Sequence, residues 1–270
     1  MPDSPGAVRF SGVPSAWESS LTPDADGGTE PATAAIANGP RPPGVAWGAA
    51  TGQALEWLTI QSVGNLAMNK WVRLAFFHGH WFQNWMRAVE RFRFNRWNDD
   101  DTFICDYIGH PIMGAVINYT FIQNDPAGRR LEFAMSRPYW KSRMKAMAWS
   151  AFWSAEWKLG PISEASIGAQ GSYYYYDTDA KKVTNGTGLV DFFVTPVGGT
   201  AWQMGEDAID RYIVERVERR STRPLVLFAV SWLTPARAAA NLIRFKAPWY
   251  RDSREVKAGR RLVREAKAQP

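Results

Sequence analysis
The chain predicts a mainly α fold, a multi-helix bundle of short apolar or re-entrant helices carrying one inserted β-hairpin. Three observations carry that expectation. Leu66, Trp71, Leu74, Phe77, Trp81, Trp85 and Val89 recur at spacings of three to five, close to a helical stripe. Gly and Pro interrupt the apolar runs before any reaches the roughly 18 residues of a simple membrane span. Fourteen of the 270 residues are Trp, whose ring favours the zone between lipid and water, where one end stays dry and the N–H finds a partner.

Residues 1–53 are crowded with Pro, Gly, Ala, Ser and Thr, including Asn38-Gly-Pro-Arg-Pro-Pro-Gly44. Such a composition buries too little apolar surface to offset chain entropy, so a disordered arm is expected there. A helical bundle domain is expected over 54–243, opening with a helical stretch from Leu55 to Trp97 that breaks at Gly64. Arg87, Arg91, Arg93 and Arg96 in its last turns suit the negative end of a helix dipole, and Asn98-Asp-Asp-Asp101 ends it. The next apolar segment, Thr102 to Gln123, is interrupted by Gly109-His110-Pro111. Proline favours the first helical position, which puts the helix start at Pro111 with His110 at its mouth.

Asn124-Asp-Pro-Ala-Gly128 is a turn, and a third helix runs from Pro138 to Leu159, stopping at Gly160-Pro161. Tyr173 to Thr184, ahead of Asn185-Gly186, has the pattern of the inserted hairpin. A fourth helix is expected from Leu189 to Arg219, kinked at Pro196 and Gly198-Gly199. Pro224 to Leu233 is a short apolar run, and Thr234-Pro235 restarts a helix that leads into a basic tail at 244–270.

The formal charge of +6 is concentrated in that tail, where Arg244 to Lys267 holds nine basic residues against three acidic ones. Arg244, Lys246, Arg251 and Arg254 suit anionic lipid headgroups, each nearby cation contributing about 1 kcal/mol. Nucleic acid, with Trp249 and Tyr250 stacking on bases, is a lesser partner, because the charge is too localised and the rest too apolar. Cys105 is the only cysteine, which excludes an intrachain disulfide, and its apolar neighbours suggest a small core residue. No basic start followed by an apolar stretch marks an export signal.

Polar residues on the helices suggest a centre. Lys145, Trp149, Trp153 and Glu156 share one face of the third helix, which draws Glu156 toward the interior. Asp191, Thr195, Gly198, Trp202 and Gly205 share a face of the fourth, where small residues admit a neighbouring helix and bring Asp191 and Glu206 inward. His110 facing such carboxylates can move protons or help hold a metal. No metal set is legible, since His78-Gly-His80 directs its rings to different sides of a helix, and the cofactor question stays open.

His110-Pro-x-x-Gly114, Trp153-Ser-Ala-Glu156-Trp157, Gly160-Pro161, Asp191, Thr195-Pro-x-Gly-Gly199 and Gly205-Glu206 together resemble an uncharacterised bacterial family of envelope-associated helical domains. That family's pattern runs HPxxG, SxxWE, PS, D, TPxGG and GE, and the resemblance covers about Asp106 to Asp207. Glu156 precedes Trp157 here, where the pattern has Trp before Glu. More distantly, the layout is similar to small membrane proteins of the glycopeptide-resistance and lipid-phosphatase-like type. The resemblance implies a membrane setting in the bacterial envelope and a polar centre, without a reaction.

Two functions follow as expectations. The first is a noncatalytic, membrane-associated protein binding lipid or a protein partner. The second is a hydrolase of a lipid or lipid-linked phosphate, with His110, Glu156, Asp191 and Glu206 as its centre and Arg143 holding phosphate.

Overall fold
The computed structural model describes residues 44–99, 101–168 and 188–259. The chain divides into Met1–Arg41 and Pro42–Pro270, and the fold is that of the second unit. It is mainly helical. The expected hairpin at Tyr173 to Thr184 lies outside the described residues.

Helix α1 (Trp47–Met68) is followed by α2 (Lys70–His78) and α3 (Trp81–Glu90). The fold therefore starts earlier than Ala54. Trp47 packs its ring 5.7 Å from Phe121 and 5.8 Å from Trp149, and the Ala46 N–H donates to the Asn124 carbonyl at 2.9 Å. Gly64 sits inside α1, and the chain breaks instead at Asn69, whose side chain accepts the Val72 N–H. A second break comes at Gly79, where a Cβ would lie 2.3 Å from the Ala75 carbonyl oxygen.

A π-helical turn (Cys105–Gly109) runs directly into α4 (His110–Asn124). This helix carries no Asp, Glu, Lys or Arg, and it is buried along almost its whole length. A helix apolar on every side must be surrounded, and α4 is packed against α1, α5 and the chain after residue 190. Its polar side chains donate to neighbouring elements: Asn118 to Thr200 at 3.1 Å, Gln123 to Asn241 at 3.1 Å and Tyr119 to Asp207 at 3.0 Å. Helix α5 (Arg137–Leu159) spans nearly the range expected from its proline and its Gly-Pro stop.

The expected fourth helix is one run over 190–220, made of α6 (Val190–Phe193), a π turn (Val194–Gly198), α7 (Gly199–Ile209), a second π turn (Asp210–Val214) and α8 (Glu215–Arg220). The first π turn holds Pro196, which has no N–H for the helical ladder. Two glycines fix how this run crosses α4. A Cβ on Gly114 would stand 2.0 Å from the Thr195 carbonyl oxygen, and one on Gly199 would stand 2.7 Å from the Gly114 carbonyl carbon. The HPxxG and TPxGG segments are thus two sides of one close helix crossing. Helices α9 (Pro224–Ser231) and α10 (Pro235–Ile243) follow, bent 113° from each other.

Acids along the 190–220 run are buried and compensated from other elements. Asp207 accepts from Tyr139 at 2.9 Å and from the Arg143 Nε at 2.9 Å, and it pairs with Arg237 of α10. Asp210 accepts from Arg251 at 2.6 Å and from Arg254 at 2.8 Å, and Arg254 also holds Glu218 at 2.7 Å. Through Arg251 and Arg254, the described residues after Ile243, 244–259, pack onto the fold. Burial alone would raise the Asp210 pKa, but the Arg237, Arg254 and Arg251 guanidiniums outweigh it and hold the carboxyl well below its usual range.

Two expectations follow. Gly114→Ala should destabilise the fold by about 1–3 kcal/mol through overpacking. Gly205→Ala, where a Cβ meets nothing within 4 Å, should instead gain up to about 1 kcal/mol of helix propensity; urea unfolding of both variants separates a tight crossing from a loose one. Asp210 has a folded pKa below its unfolded one, so its contribution is present at neutral pH and is lost as pH falls below about 4. Asp210→Asn should cost about 3–5 kcal/mol at pH 7, with the gap to wild type closing toward pH 2 in the same assay.

Candidate polar centre
Lys158 is the last buried residue on α5. Ser142, Ala146, Ser150, Ser154 and Lys158 are spaced by four, so they line one face, and all five are buried. The small members let α5 lie close to its neighbours: Ser154 donates to the Asp191 carbonyl at 2.8 Å and Ser150 to the Gly114 carbonyl at 3.4 Å. Lys158 then projects its ammonium among three carboxylates: Asp191 at 2.6 Å, Asp99 at 2.7 Å and Glu164 at 2.8 Å. Asp99 is set in place because the Leu189 and Val190 N–H groups donate to the Arg96 and Trp97 carbonyls, tying the segment after α3 to the start of α6.

His110 joins from the start of α4. Its Nδ1 lies 3.4 Å from Asp191 Oδ1 and 3.4 Å from the Thr195 hydroxyl. The ring also lines a small cavity with Met113, Trp57, Trp153 and Trp157. The π turn brings Asp106 inward, and one ligand oxygen from each of Asp99, Asp106 and Asp191 falls within 4.8 Å of the others. Asp101, Cys105, Asp106 and His110 form a second, overlapping set of the same compactness. Either set has the spacing of metal ligands.

The outer side of the same turn is apolar. Phe103 is 70% and Ile104 68% exposed. The Phe103 ring stacks 4.8 Å from Tyr107, the Trp97 indole donates to the Tyr107 hydroxyl at 3.0 Å, and Trp97 packs on Phe193 at 5.8 Å. An aromatic rim thus borders the acidic centre.

Five carboxylates face one lysine and a histidine, and the electrostatics follow. Burial, with Asp99 and Asp191 nearby, pushes Asp106 up to about 6, and burial with Glu164 and Asp99 does the same to Asp101. Asp191 is pushed up to about 7 by burial, despite Lys158. Burial works against Asp99 as well, but the Lys158 ammonium outweighs it and leaves that carboxyl below its usual range. Burial lowers the His110 pKa and favours the neutral ring. The Cys105 thiol, pushed up to about 12 by burial and the Asp101 charge, stays protonated; it sits half-buried in the π turn rather than in the core.

Of the residues anticipated for the centre, the structure brings His110 and Asp191 together and places the other two elsewhere. Glu156 lies on the half-buried side of α5, curls over Gly160 and accepts the Ile162 N–H at 3.2 Å. Glu206 accepts the Ala236 and Arg237 N–H groups at 2.8 and 3.0 Å, so it caps α10 from a distance. Arg143, expected to hold phosphate, is bound to Asp207. Of the four cations expected to meet headgroups, Arg251 and Arg254 hold Asp210, Arg244 holds Asp252 at 2.7 Å, and Lys246 is exposed beside the Tyr250 ring. Lys158, Asp99, Asp101, Asp106 and Glu164 escaped sequence reasoning. The signal for Lys158 was the stripe of small residues at spacing four.

Replacing Lys158 with Met should leave its three carboxylates without their cation. They would then take up protons, so the variant should lose about 3–5 kcal/mol at pH 8 and recover part of it by pH 5, as followed by thermal unfolding. An equal loss at both pH values would contradict the ion-pair account. The chain matches no protein-family model, no curated protein and no solved structure.

Proposed function
We propose that the protein is a membrane-associated helical protein of the bacterial envelope that docks on anionic lipid through α9 and the corner after it. The observation that carries this reading is an apolar outward stripe where a water-facing helix would be polar. Leu225 and Phe228 fall on one face of α9 and Trp232 continues it just past the last turn, with Leu225 80% and Trp232 64% exposed, while Leu227 and Ser231 face inward. Leu233 extends the stripe at the corner. Exposed Arg220 and Arg223 lead into the helix, which supports a choice of anionic headgroups.

Among the described residues no single helix is long and apolar enough to cross a membrane, and only the bent pair α9–α10 passes that test together. Helix α10 buries Ala236, Ala240 and Ile243 in the core cluster with α4, which leaves α9 as the element free to enter lipid. Its eight residues rise about 12 Å, enough to enter the headgroup and upper acyl region and too short to span. The envelope setting rests on the resemblance of the His110-to-Glu206 motifs.

A second reading, hydrolysis of a lipid-linked phosphate, is favoured by one observation, the His110–Asp191 pair beside an aromatic rim. It would run on His110, Asp191 and Lys158, without Glu156 or Glu206.

Cosedimentation tests the docking. The full chain should pellet with vesicles of phosphatidylglycerol and phosphatidylcholine, and less with phosphatidylcholine alone. Leu225→Glu with Trp232→Glu should weaken binding at least ~10-fold with unchanged melting, since burying each such side chain contributes about 1.5–3 kcal/mol. Unchanged pelleting of the double variant would sink the proposal. Phosphate release from a lipid-linked phosphate in the same vesicles, lost in His110→Ala, would replace it with the second reading.

A further inference from the structure
We propose that Asp99, Asp106 and Asp191 form a binding site for one divalent cation of the hard, oxygen-seeking class, Mn2+ or Mg2+. This goes beyond membrane docking and does not depend on it. Three lines of geometry lead there. One oxygen from each carboxylate lies within 4.8 Å of the others, the spacing of ligands around one ion with bonds of about 2.0–2.4 Å. All three residues are buried, at 1%, 4% and 0% exposed. Asp106 belongs to this group, and its Oδ1 has no hydrogen-bond donor although it is removed from water.

That orphaned oxygen is an unmet demand inside the acidic group itself. A carboxylate oxygen without a donor in the interior is costly, and structures rarely leave one so. The π turn is the device that places it. Helical insertions of this kind are often found at functional sites, and this one buries Asp106 while Phe103, Ile104, Tyr107 and Ile108 face outward.

Charge points the same way. Lys158 supplies one positive charge to Asp99, Glu164 and Asp191, and Asp101 and Asp106 add two further carboxylates. A divalent ion among the three aspartates reduces that excess, with Lys158 paired to one oxygen each of Asp99 and Asp191. Carboxylate-only ligation selects Mg2+ and Mn2+ over softer metals. His110, 3.4 Å from Asp191, is placed to orient that ligand, and Lys158 orients two of the three.

Mn2+ is the probe. Full-length protein stripped with chelator and returned to clean buffer is titrated with MnCl2, with calorimetry reporting heat and electron paramagnetic resonance reporting free ion. One Mn2+ per chain is expected, and Asp106→Asn should bind at least ~10-fold more weakly while melting like wild type in chelator. Should Asp106→Asn not fold, iron-driven radical cleavage of the wild-type chain gives the same answer, with cuts expected near Asp99, Asp106 and Asp191 that excess Mn2+ suppresses. Three results would overturn the assignment. These are no uptake at millimolar Mn2+, wild-type uptake by Asp106→Asn, or a preference for Zn2+ lost in Cys105→Ser, which moves the ion to the Asp101, Cys105 and His110 side.

Discussion

The run from Val190 to Arg220 carries acids into the interior, and the rest of the fold is arranged to meet them. Asp191, Glu206, Asp207 and Asp210 are each at most 3% exposed. Each takes its counter-charge or donor from outside the run: Lys158 of α5 for Asp191, the start of α10 for Glu206, Arg143 of α5 and Arg237 of α10 for Asp207, and Arg251 and Arg254 for Asp210. A buried carboxylate without such a partner destabilises by several kcal/mol, more than most single contacts contribute. The requirement therefore fixes where α5, α10 and residues 244–259 must lie. Apolar packing around α4 supplies most of the driving force, but it is non-directional, and it is the acids that specify which helix meets which.

Close approach is the second constraint, and it serves the first. Lys158 reaches Asp191 only because α4, α5 and the 190–220 run come together with almost no side-chain thickness between them. Gly114 against Thr195 and Gly199 closes one crossing, and Ser150 and Ser154 hydrogen-bonded to backbone carbonyls close the other. The π turn at Val194–Gly198 lies at this place because Pro196 and the glycines loosen the ladder there. The residues of the HPxxG and TPxGG segments are thereby explained by packing, apart from His110.

Much of the helical layout was legible in the sequence, and the centre largely was not. Proline and glycine punctuate locally, so the limits of α4, α5, α9 and α10 could be read from Pro111, Gly160-Pro161, Pro224 and Thr234-Pro235. Gly64 misled because a helix tolerates one glycine where no turn is required. The centre is assembled from five segments, and a single sequence records no distances between them. Asp99 and Asp101 resemble the acids that end or cap a helix, and Glu164 falls in a loop. Glu156 drew attention as the conspicuous charge on an aromatic stripe, whereas the buried charge is Lys158, two residues on. The spacing of four from Ser142 to Lys158 held that information, because a face of small residues is where another backbone comes close. The basic tail misled for the opposite reason: its charge looked free, yet Arg251 and Arg254 answer acids some forty residues earlier.

The three acidic knots of the interior differ in how completely they are satisfied, and that difference separates scaffold from function. Both oxygens of Asp207 have donors, in Tyr139 and Arg143 on one side and Tyr119 and Arg237 on the other. Both oxygens of Asp210 have donors in Arg251 and Arg254. Carboxylates satisfied in this way hold a structure together and call for no ligand. The knot around Lys158 is open: more carboxylates than cations, an Asp106 oxygen without a donor, a neutral-leaning histidine at its edge and an aromatic rim beside it. An interior evolved for stability alone would have closed this knot, or replaced it with apolar side chains at little cost. Its excess of carboxylates over cations, in a fold where both oxygens of Asp207 and of Asp210 have donors, is what marks it as the place where something binds.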